Sequence, residues 1–215
     1  MLALKGVVRY DWSMLLRLAD GETIADAKRR AIVLLVDRPE LAITWSRYGA
    51  RERGPDLHVH REHTDAFYVL EGEITFEVGP RSQRVRAAAG AFVAVPPDVV
   101  HTFANRSRAE ANWLNIHAPD RGFAAYLRAS RDGADAPWDS FDPPSDGGRP
   151  AGDAVVSGAG DGEPLGARAA AVKCALPELW VAELGRFEPH RHDDLLYELA
   201  DGRFLGMRAR APGAR

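Results

Sequence analysis

Short apolar runs separated by turn residues occupy the chain between residues 30 and 118. The runs at residues 30–36, 66–70 and 91–95 are rich in Val, Ile, Leu, Phe and Ala, a composition that favours extended strands over loops. Glycine or proline separates successive runs at roughly the 8–12-residue spacing of β-sandwiches and β-barrels. The pattern therefore predicts an all-β fold built from short antiparallel strands.

The period of the apolar positions changes after this region. Phe123, Tyr126 and Leu127 are spaced i, i+3 and i+4, so they would share one face of a short helix. We therefore predict that a helix closes a complete barrel domain over residues 1–130. Residues 131–153 are dense in Asp, Gly, Pro and Ser and cannot form a core of their own, which predicts a linker.

The part of the chain after this segment repeats landmarks of the first part in the same order. The matched pieces are Asp-Gly-Glu at 20–22 and 161–163, Pro-Glu-Leu at 39–41 and 177–179, His-x-His at 58–60 and 190–192, and a Tyr before a Gly at 68–72 and 197–202. Four landmarks in one order indicate a duplicated unit. Because the chain given ends soon after the last landmark, residues 154–215 are predicted to be a truncated half-repeat. Half a barrel leaves an apolar face uncovered, so we expect these strands to dock on the barrel or on a second subunit.

Charge and cysteine content narrow the classes of partner. The formal net charge of −3 gives no basic field for nucleic acid. The first 21 residues contain no uninterrupted apolar stretch that would serve as a signal peptide or a membrane span. We expect a cytoplasmic protein that binds neither nucleic acid nor membrane. The single cysteine, Cys174, excludes an internal disulfide or a multi-thiolate zinc site and is predicted to be a buried structural thiol.

Three histidines and one carboxylate form the candidate metal site. His58 and His60 alternate with Val59, so in a strand both imidazoles point to one face. Asp65 follows on the next predicted strand, and His101 begins a later one. This ligand set suits one divalent transition metal, which could be Fe, Mn, Ni, Co or Zn, and leaves coordination positions open.

These residues closely resemble the two sequence motifs of the cupin superfamily, and especially those of small bacterial metal-binding cupins. The matching positions are His58, His60, Asp65 and Gly72 in the first motif, and Gly90, Pro96, His101 and Asn105 in the second. The resemblance covers about 50 residues tightly and implies a cupin-type antiparallel β-barrel, also called a jelly roll or double-stranded β-helix. Two positions depart from the pattern: Asp65 stands where glutamate is usual, and Asp98 stands where glycine is usual.

Other residues are candidates for the wall of the barrel cavity. Phe67 and Phe103 lie on the faces that carry the ligands, where they would be cavity wall or core. Trp113, Asn115 and His117 alternate along one run and so share a face, which either lines the cavity or packs at its rim.

Two further features involve histidines outside the candidate metal site. His63 is interpreted as a solvated loop residue. In the half-repeat, His190, His192 and Asp194 copy the first motif without a third histidine. This set is interpreted as a degenerate second site or a surface polar cluster.

With the resemblance, these features predict a metal-dependent enzyme that acts on a small organic molecule in the barrel cavity. The resemblance favours an oxidoreductase of the dioxygenase type, and an isomerase or a cyclase is also consistent with it. Two other hypotheses stay open. One is a non-catalytic protein that uses the metal to bind or sense a small molecule, and the other is a structural homodimer in which the half-repeat completes a partner's sheet.

Overall fold

The computed structural model describes residues 13–159, 161, 163–164, 171–185 and 194–210. Within these residues there are sixteen strands and one α-helix, α1 (Phe123–Arg131). The strands are β1 (Ser13–Leu16), β2 (Glu22–Ala27), β3 (Arg30–Arg38), β4 (Leu41–Tyr48), β5 (Thr64–Glu71), β6 (Glu73–Val78), β7 (Gln83–Ala88), β8 (Phe92–Val95), β9 (His101–Ala104), β10 (Ala111–Ala118), β11 (Val155–Ser157), β12 (Glu163–Pro164), β13 (Ala171–Ala175), β14 (Leu179–Leu184), β15 (Asp194–Glu198) and β16 (Phe204–Ala209). No helix in these ranges is long and apolar enough to cross a membrane.

Two antiparallel sheets form the barrel. Seven strands lie in the order β11-β8-β5-β10-β4-β3-β2, and three lie in the order β7-β6-β9. A shared hydrophobic cluster between them includes Phe67, Phe76 and Trp113. Because side chains alternate along each strand, one set of residues fills this interior while the other set faces outward. The structure confirms the predicted all-β antiparallel barrel.

The helix lies where the apolar period predicts one. It begins after Gly122, and the Oδ1 atom of Asp120 accepts a hydrogen bond from the backbone N–H of Phe123 at 2.8 Å. This contact satisfies one of the free donors at the helix start. Phe123 and Leu127 pack with Ile24 and Leu34 in a separate apolar cluster, so the helix covers the β2–β3 side of the barrel.

A third sheet contains the remaining strands, in the order β1-β15-β16-β14-β13-β12. It packs on the outward side of the barrel sheet, where Leu179 and Met207 join Ile43 and Ile116 in one hydrophobic cluster. The sequence predicts docking on the barrel or on a second subunit, and within this chain the described strands dock on the barrel.

Two strands lie across the predicted domain boundaries. Strand β1 comes from the region assigned to the barrel, yet it pairs in parallel with β15 of the third sheet. Strand β11 comes from the region assigned to the half-repeat, yet it pairs with β8 of the barrel. Each strand pairs with backbone groups that would otherwise be left free at a sheet edge. The division into residues 1–130, 131–153 and 154–215 stays a prediction.

The segment described above as a linker lies against the barrel. Phe141 and Val59 exchange two backbone hydrogen bonds, at 2.9 and 3.0 Å, and the N–H of Arg149 donates to the carbonyl of Asp98 at 2.8 Å. A segment without a core of its own is therefore ordered here by backbone contacts to the loops that carry the histidines. Because residues 137–149 pass across these loops, we call them the crossing segment.

Backbone conformation explains two motif positions. Gly72 has a φ of 73°, and a Cβ atom there would lie 2.4 Å from the carbonyl oxygen of Glu110, so glycine is required. Asp98 replaces the usual motif glycine and keeps a left-handed conformation, with a φ of 65°. Aspartate adopts this region more readily than most residues, so the turn before His101 is preserved.

Candidate metal centre

The barrel brings the four predicted ligands together. The ligand atoms of His58, His60, Asp65 and His101 all lie within 4.8 Å of one another. Two backbone hydrogen bonds between His58 and His101, at 3.0 and 2.8 Å, join the two motifs directly. Asp65 reaches the same point from β5, with Oδ2 3.3 Å from Nε2 of His101 and 3.7 Å from Nε2 of His60.

Backbone carbonyls orient all three imidazoles in the same way. The Nδ1 atoms of His58 and His101 donate to the carbonyls of Asp56 and Val99 at 2.8 and 3.0 Å, and Nδ1 of His60 donates to the carbonyl of Asp139. Since a carbonyl oxygen only accepts hydrogen bonds, each Nδ1 carries the proton. In the neutral rings each Nε2 atom is therefore an unprotonated electron-pair donor, which is the state that binds a metal.

The electrostatics of the cluster favour a cation. Burial, together with the nearby His101 and His60, lowers the pKa of His58 to about 3, so this ring is neutral near pH 7. Burial would raise the pKa of Asp65, but the imidazoles of His117, His101 and His60 hold it well below its usual value. Asp65 is therefore ionised, and a bound metal would replace the protons that the imidazoles share with its carboxylate.

His60 provides the test of whether a metal fits. Its Nε2 atom is buried and has no hydrogen-bond partner among the residues that the structure describes, a costly state for a polar atom. A cation at the centre of the cluster would pair with it and with the three other donors. Three imidazole nitrogens and one carboxylate oxygen are ligands that Mn, Fe, Co, Ni and Zn all accept, so the residues present fit a divalent transition metal without selecting one.

His63 is not the solvated loop residue that the sequence suggests. Its side chain is buried, with 1% of the residue exposed. Nδ1 donates to Oδ2 of Asp139 at 2.8 Å, and Nε2 lies 2.9 Å from Nδ1 of His117. The carboxylate that draws His63 inward belongs to the crossing segment, which local sequence rules do not connect to this loop.

A cavity of about 800 Å³ lies beside the cluster. His58 and Asp65 open onto it, as do the predicted wall residues Phe103, Trp113, Asn115 and His117. Phe67 does not line it: its ring packs in the core against Phe76 and Phe103, with ring centroids 4.8 and 5.0 Å away. Of the two readings for Phe67, core packing is the correct one.

Several lining residues escaped the sequence analysis. Trp138 of the crossing segment stands 5.2 Å from the ring of His60, centroid to centroid, and forms part of the wall. Thr44 and Ser46 on β4 add two buried hydroxyl groups that lie 3.4 Å apart. The sequence contains one sign that this segment contributes to the site. Trp138 and Asp139 form an isolated pair within a stretch rich in Gly and Pro.

Most of the second copy of the His-x-His motif lies outside the described residues. His190 and His192 lie outside the described residues, and Asp194 begins β15 without a described side chain. The second-site hypothesis therefore stays a prediction. Cys174 is buried, as expected, and burial raises the pKa of its thiol to about 11.

The fold and the cluster define the class of antiparallel β-barrels whose clustered histidines and carboxylate could hold a metal. Within that class, residues 45–117 match the family model described as "Cupin domain". This part of the chain is a cupin domain.

Solved structures with a similar fold include KdgF from Halomonas sp., an RmlC-like cupin from Shewanella frigidimarina and the Cnp3 cupin domain of Schizosaccharomyces pombe. Their sequence identities are 15%, 23% and 17%, and their TM-scores are 0.44, 0.41 and 0.41. The matches cover 50%, 48% and 56% of this chain and 94%, 87% and 80% of the respective structures. No curated protein matches the sequence.

Proposed function

We propose that this cupin is a metal-dependent enzyme that acts on a small organic molecule in the barrel cavity. The observation that carries the proposal is the buried Nε2 of His60, which has no partner within the described part of the chain, in a four-donor cluster beside a cavity of about 800 Å³. His58, His60, His101 and Asp65 would hold one divalent metal. When bound, the metal would act as a Lewis acid towards an oxygen atom of the substrate or would supply a site for O₂.

The cavity supports a substrate with an apolar, flat body and a polar end. Tyr48, Phe103 and Trp113 form an aromatic wall, with Tyr48 and Trp113 packed edge to face at 4.8 Å. Asn115 and His117 lie on the same strand as Trp113 but nearer to Asp65. A bound molecule would therefore place its rings on the aromatic side and its hydrogen-bonding group towards the metal site.

The metal part of this proposal is tested by elemental analysis. We expect the purified protein to retain about one divalent metal per chain, because four ligands in a closed barrel bind tightly. A His101→Ala variant should lose most of it, whereas Arg108→Ala, at an exposed position of the neighbouring loop, should not. Equal metal contents in the wild type and His101→Ala would show that the site is wrong.

More specifically, we propose that the protein is a dioxygenase-like oxidoreductase. This proposal rests on the family resemblance and on a ligand set that suits Fe, Mn, Co and Ni. An oxygen electrode with a panel of flavonol and diketone substrates tests it, using protein loaded separately with each metal. Oxygen uptake that His101→Ala abolishes would support dioxygenase chemistry. Binding of these compounds without uptake for any metal would instead favour an isomerase, a cyclase or a non-catalytic binding protein.

A further inference from the structure

The cavity wall carries an arginine at the end away from the candidate metal cluster. Arg30 of β3 lines the cavity, and its guanidinium lies over the ring of Tyr48, with Cζ 4.4 Å from the ring centroid. Tyr48 is the strand partner of Arg30 and also of Ala111, at the start of β10. Asp65 pairs with His117, near the other end of β10. From Ala111 to His117 a strand rises by roughly 20 Å, so Arg30 and Asp65 lie at opposite ends of this wall.

Part of the hydrogen-bonding capacity of Arg30 is unused within the described chain. Its Nη2 atom donates to Oε1 of Glu52 at 3.1 Å and to the backbone carbonyl of Arg53. A guanidinium also donates from Nε and Nη1, and neither of these atoms has a hydrogen-bond partner among the residues that the structure describes. The contact with the Tyr48 ring holds the guanidinium in the wall. The remaining N–H groups are therefore available to a molecule in the cavity.

The charge of Arg30 is only partly balanced. Glu52 is its carboxylate partner, but the same carboxylate also accepts from Nε of Arg29 at 2.8 Å. Two guanidinium groups thus share one carboxylate and leave a positive charge in excess. Asp56 and Asp142 also line the cavity, but both are exposed to solvent, which screens their charges. This end of the cavity therefore favours an anionic group.

Tyr48 adds a second hydrogen-bond donor at the same end. The residue lines the cavity and is 4% exposed, and its hydroxyl has no hydrogen-bond partner in the part of the chain that the structure describes. A nearly buried hydroxyl without a partner is costly, and a ligand that accepts a hydrogen bond would remove the cost. An ionised carboxylate accepts hydrogen bonds and carries the charge that Arg30 favours. A carboxylate therefore matches both residues.

We propose that Arg30 is a specificity-determining residue that binds a carboxylate at the end of the substrate away from the metal site, with the Tyr48 hydroxyl as a second donor. The substrate is then a flat, elongated molecule with an oxygen atom directed to the metal at one end and a carboxylate at the other. This assignment of a substrate class rests on the proposed function. Recognition of a carboxylate by Arg30 does not require the metal, so it can also be measured in the metal-free protein.

Isothermal titration calorimetry with two matched probes near pH 7 tests the proposal. One probe is a dihydroxybiphenyl carboxylate with both hydroxyl groups on the ring that does not bear the carboxylate. The other is the corresponding carboxamide, which has nearly the same shape and no charge. We expect the wild type to bind the carboxylate about tenfold more tightly than the carboxamide, because hydrogen bonds between charged groups are the stronger ones. Equal dissociation constants, or no binding of the carboxylate, in both the zinc-loaded and the metal-free protein would overturn the proposal without any variant being needed.

The second arm removes the guanidinium. In Arg30→Gln we expect the preference for the carboxylate to disappear, while the dissociation constant of the carboxamide changes little. The control Arg84→Gln removes an equal charge from a side chain of β7 that is 67% exposed, and it should keep the wild-type preference. A folded Arg30→Gln protein that still prefers the carboxylate would show that another group recognises it and would overturn the proposal. Failure to bind zinc, by contrast, would count against the proposed function, and the comparison in the metal-free protein would still decide the role of Arg30.

Discussion

Asp65 belongs to the candidate metal cluster and also lines the cavity beside it. One carboxylate oxygen, Oδ2, faces the ligand nitrogens of His60 and His101, while Oδ1 accepts from Asn115 and faces His117. Although aspartate is one methylene shorter than the glutamate usual in the motif that it matches, its carboxylate lies within 3.7 Å of the Nε2 atoms of His60 and His101. Direct ligation of a metal by Asp65 stays a prediction, and these distances make it testable.

Replacing Asp65 with asparagine keeps the shape of the side chain but removes its charge. We expect Asp65→Asn to weaken Zn²⁺ binding by about tenfold or more, by analogy with the effect of disturbing polar groups around a metal. A competition titration with a chromogenic chelator measures this change. Asp56→Asn is the matched control, because the Asp56 side chain is 99% exposed. An unchanged dissociation constant for Asp65→Asn would contradict its role as a ligand.

Among single residues, short-range patterns identified four residues that the structure brings together, but they did not predict the surroundings of these residues. Alternation in a strand was enough to place His58 with His60, since a period of two is a property of the extended backbone. His63 was misjudged because its partner Asp139 lies 76 residues further along the chain. Phe67 could not be assigned to wall or core from alternation, because both surfaces lie on the same side of β5.

At the scale of strands and sheets, the third sheet supports the barrel through an apolar interface and a buried polar link. Tyr68 of β5 donates to Glu183 of β14 at 2.8 Å, and Glu183 lies 3.3 Å from the buried Nζ of Lys173. Strand β5 also carries Asp65, so the contacts of the third sheet hold in place a strand of the candidate metal site.

The apolar interface predicts a large cost for truncating Leu179. This fully buried side chain lies in the cluster shared by the third sheet and the barrel. We expect Leu179→Ala to lower the free energy of unfolding by about 2–5 kcal/mol, the range for buried leucines. Urea denaturation measures it, with Leu18→Ala, at a side chain exposed to 39%, as the control. A loss below about 1 kcal/mol would mean that the sheet is not packed on the barrel in solution.

At the scale of the whole molecule, metal binding should stabilise the fold. The ligands come from two segments joined by the backbone pairing of His58 and His101, and the unfolded chain has no such arrangement. At a free Zn²⁺ concentration about 100 times the dissociation constant, the stabilisation should be about 2.7 kcal/mol, or about 5–10 °C in melting temperature for a chain of this size.

Differential scanning calorimetry with and without Zn²⁺ checks this expectation. His101→Ala should show a much smaller increase than the wild type, since one ligand is lost. An equal increase in both proteins would show that the stabilising zinc binds elsewhere.

The homodimer and the cytoplasmic location remain predictions. Light scattering of the full chain would test the homodimer by measuring its mass.

The sequence by itself determined the all-β class, the helix after the barrel and the four candidate ligands. These features follow from backbone periodicity, turn chemistry and residue spacing, which act over a few residues at a time. Only the tertiary structure decided how the crossing segment closes the site, where the third sheet docks and which residues line the cavity. Each of these depends on contacts between residues far apart in the chain, such as Asp139 with His63 and Glu183 with Tyr68, and such pairs become neighbours only when the sheets pack.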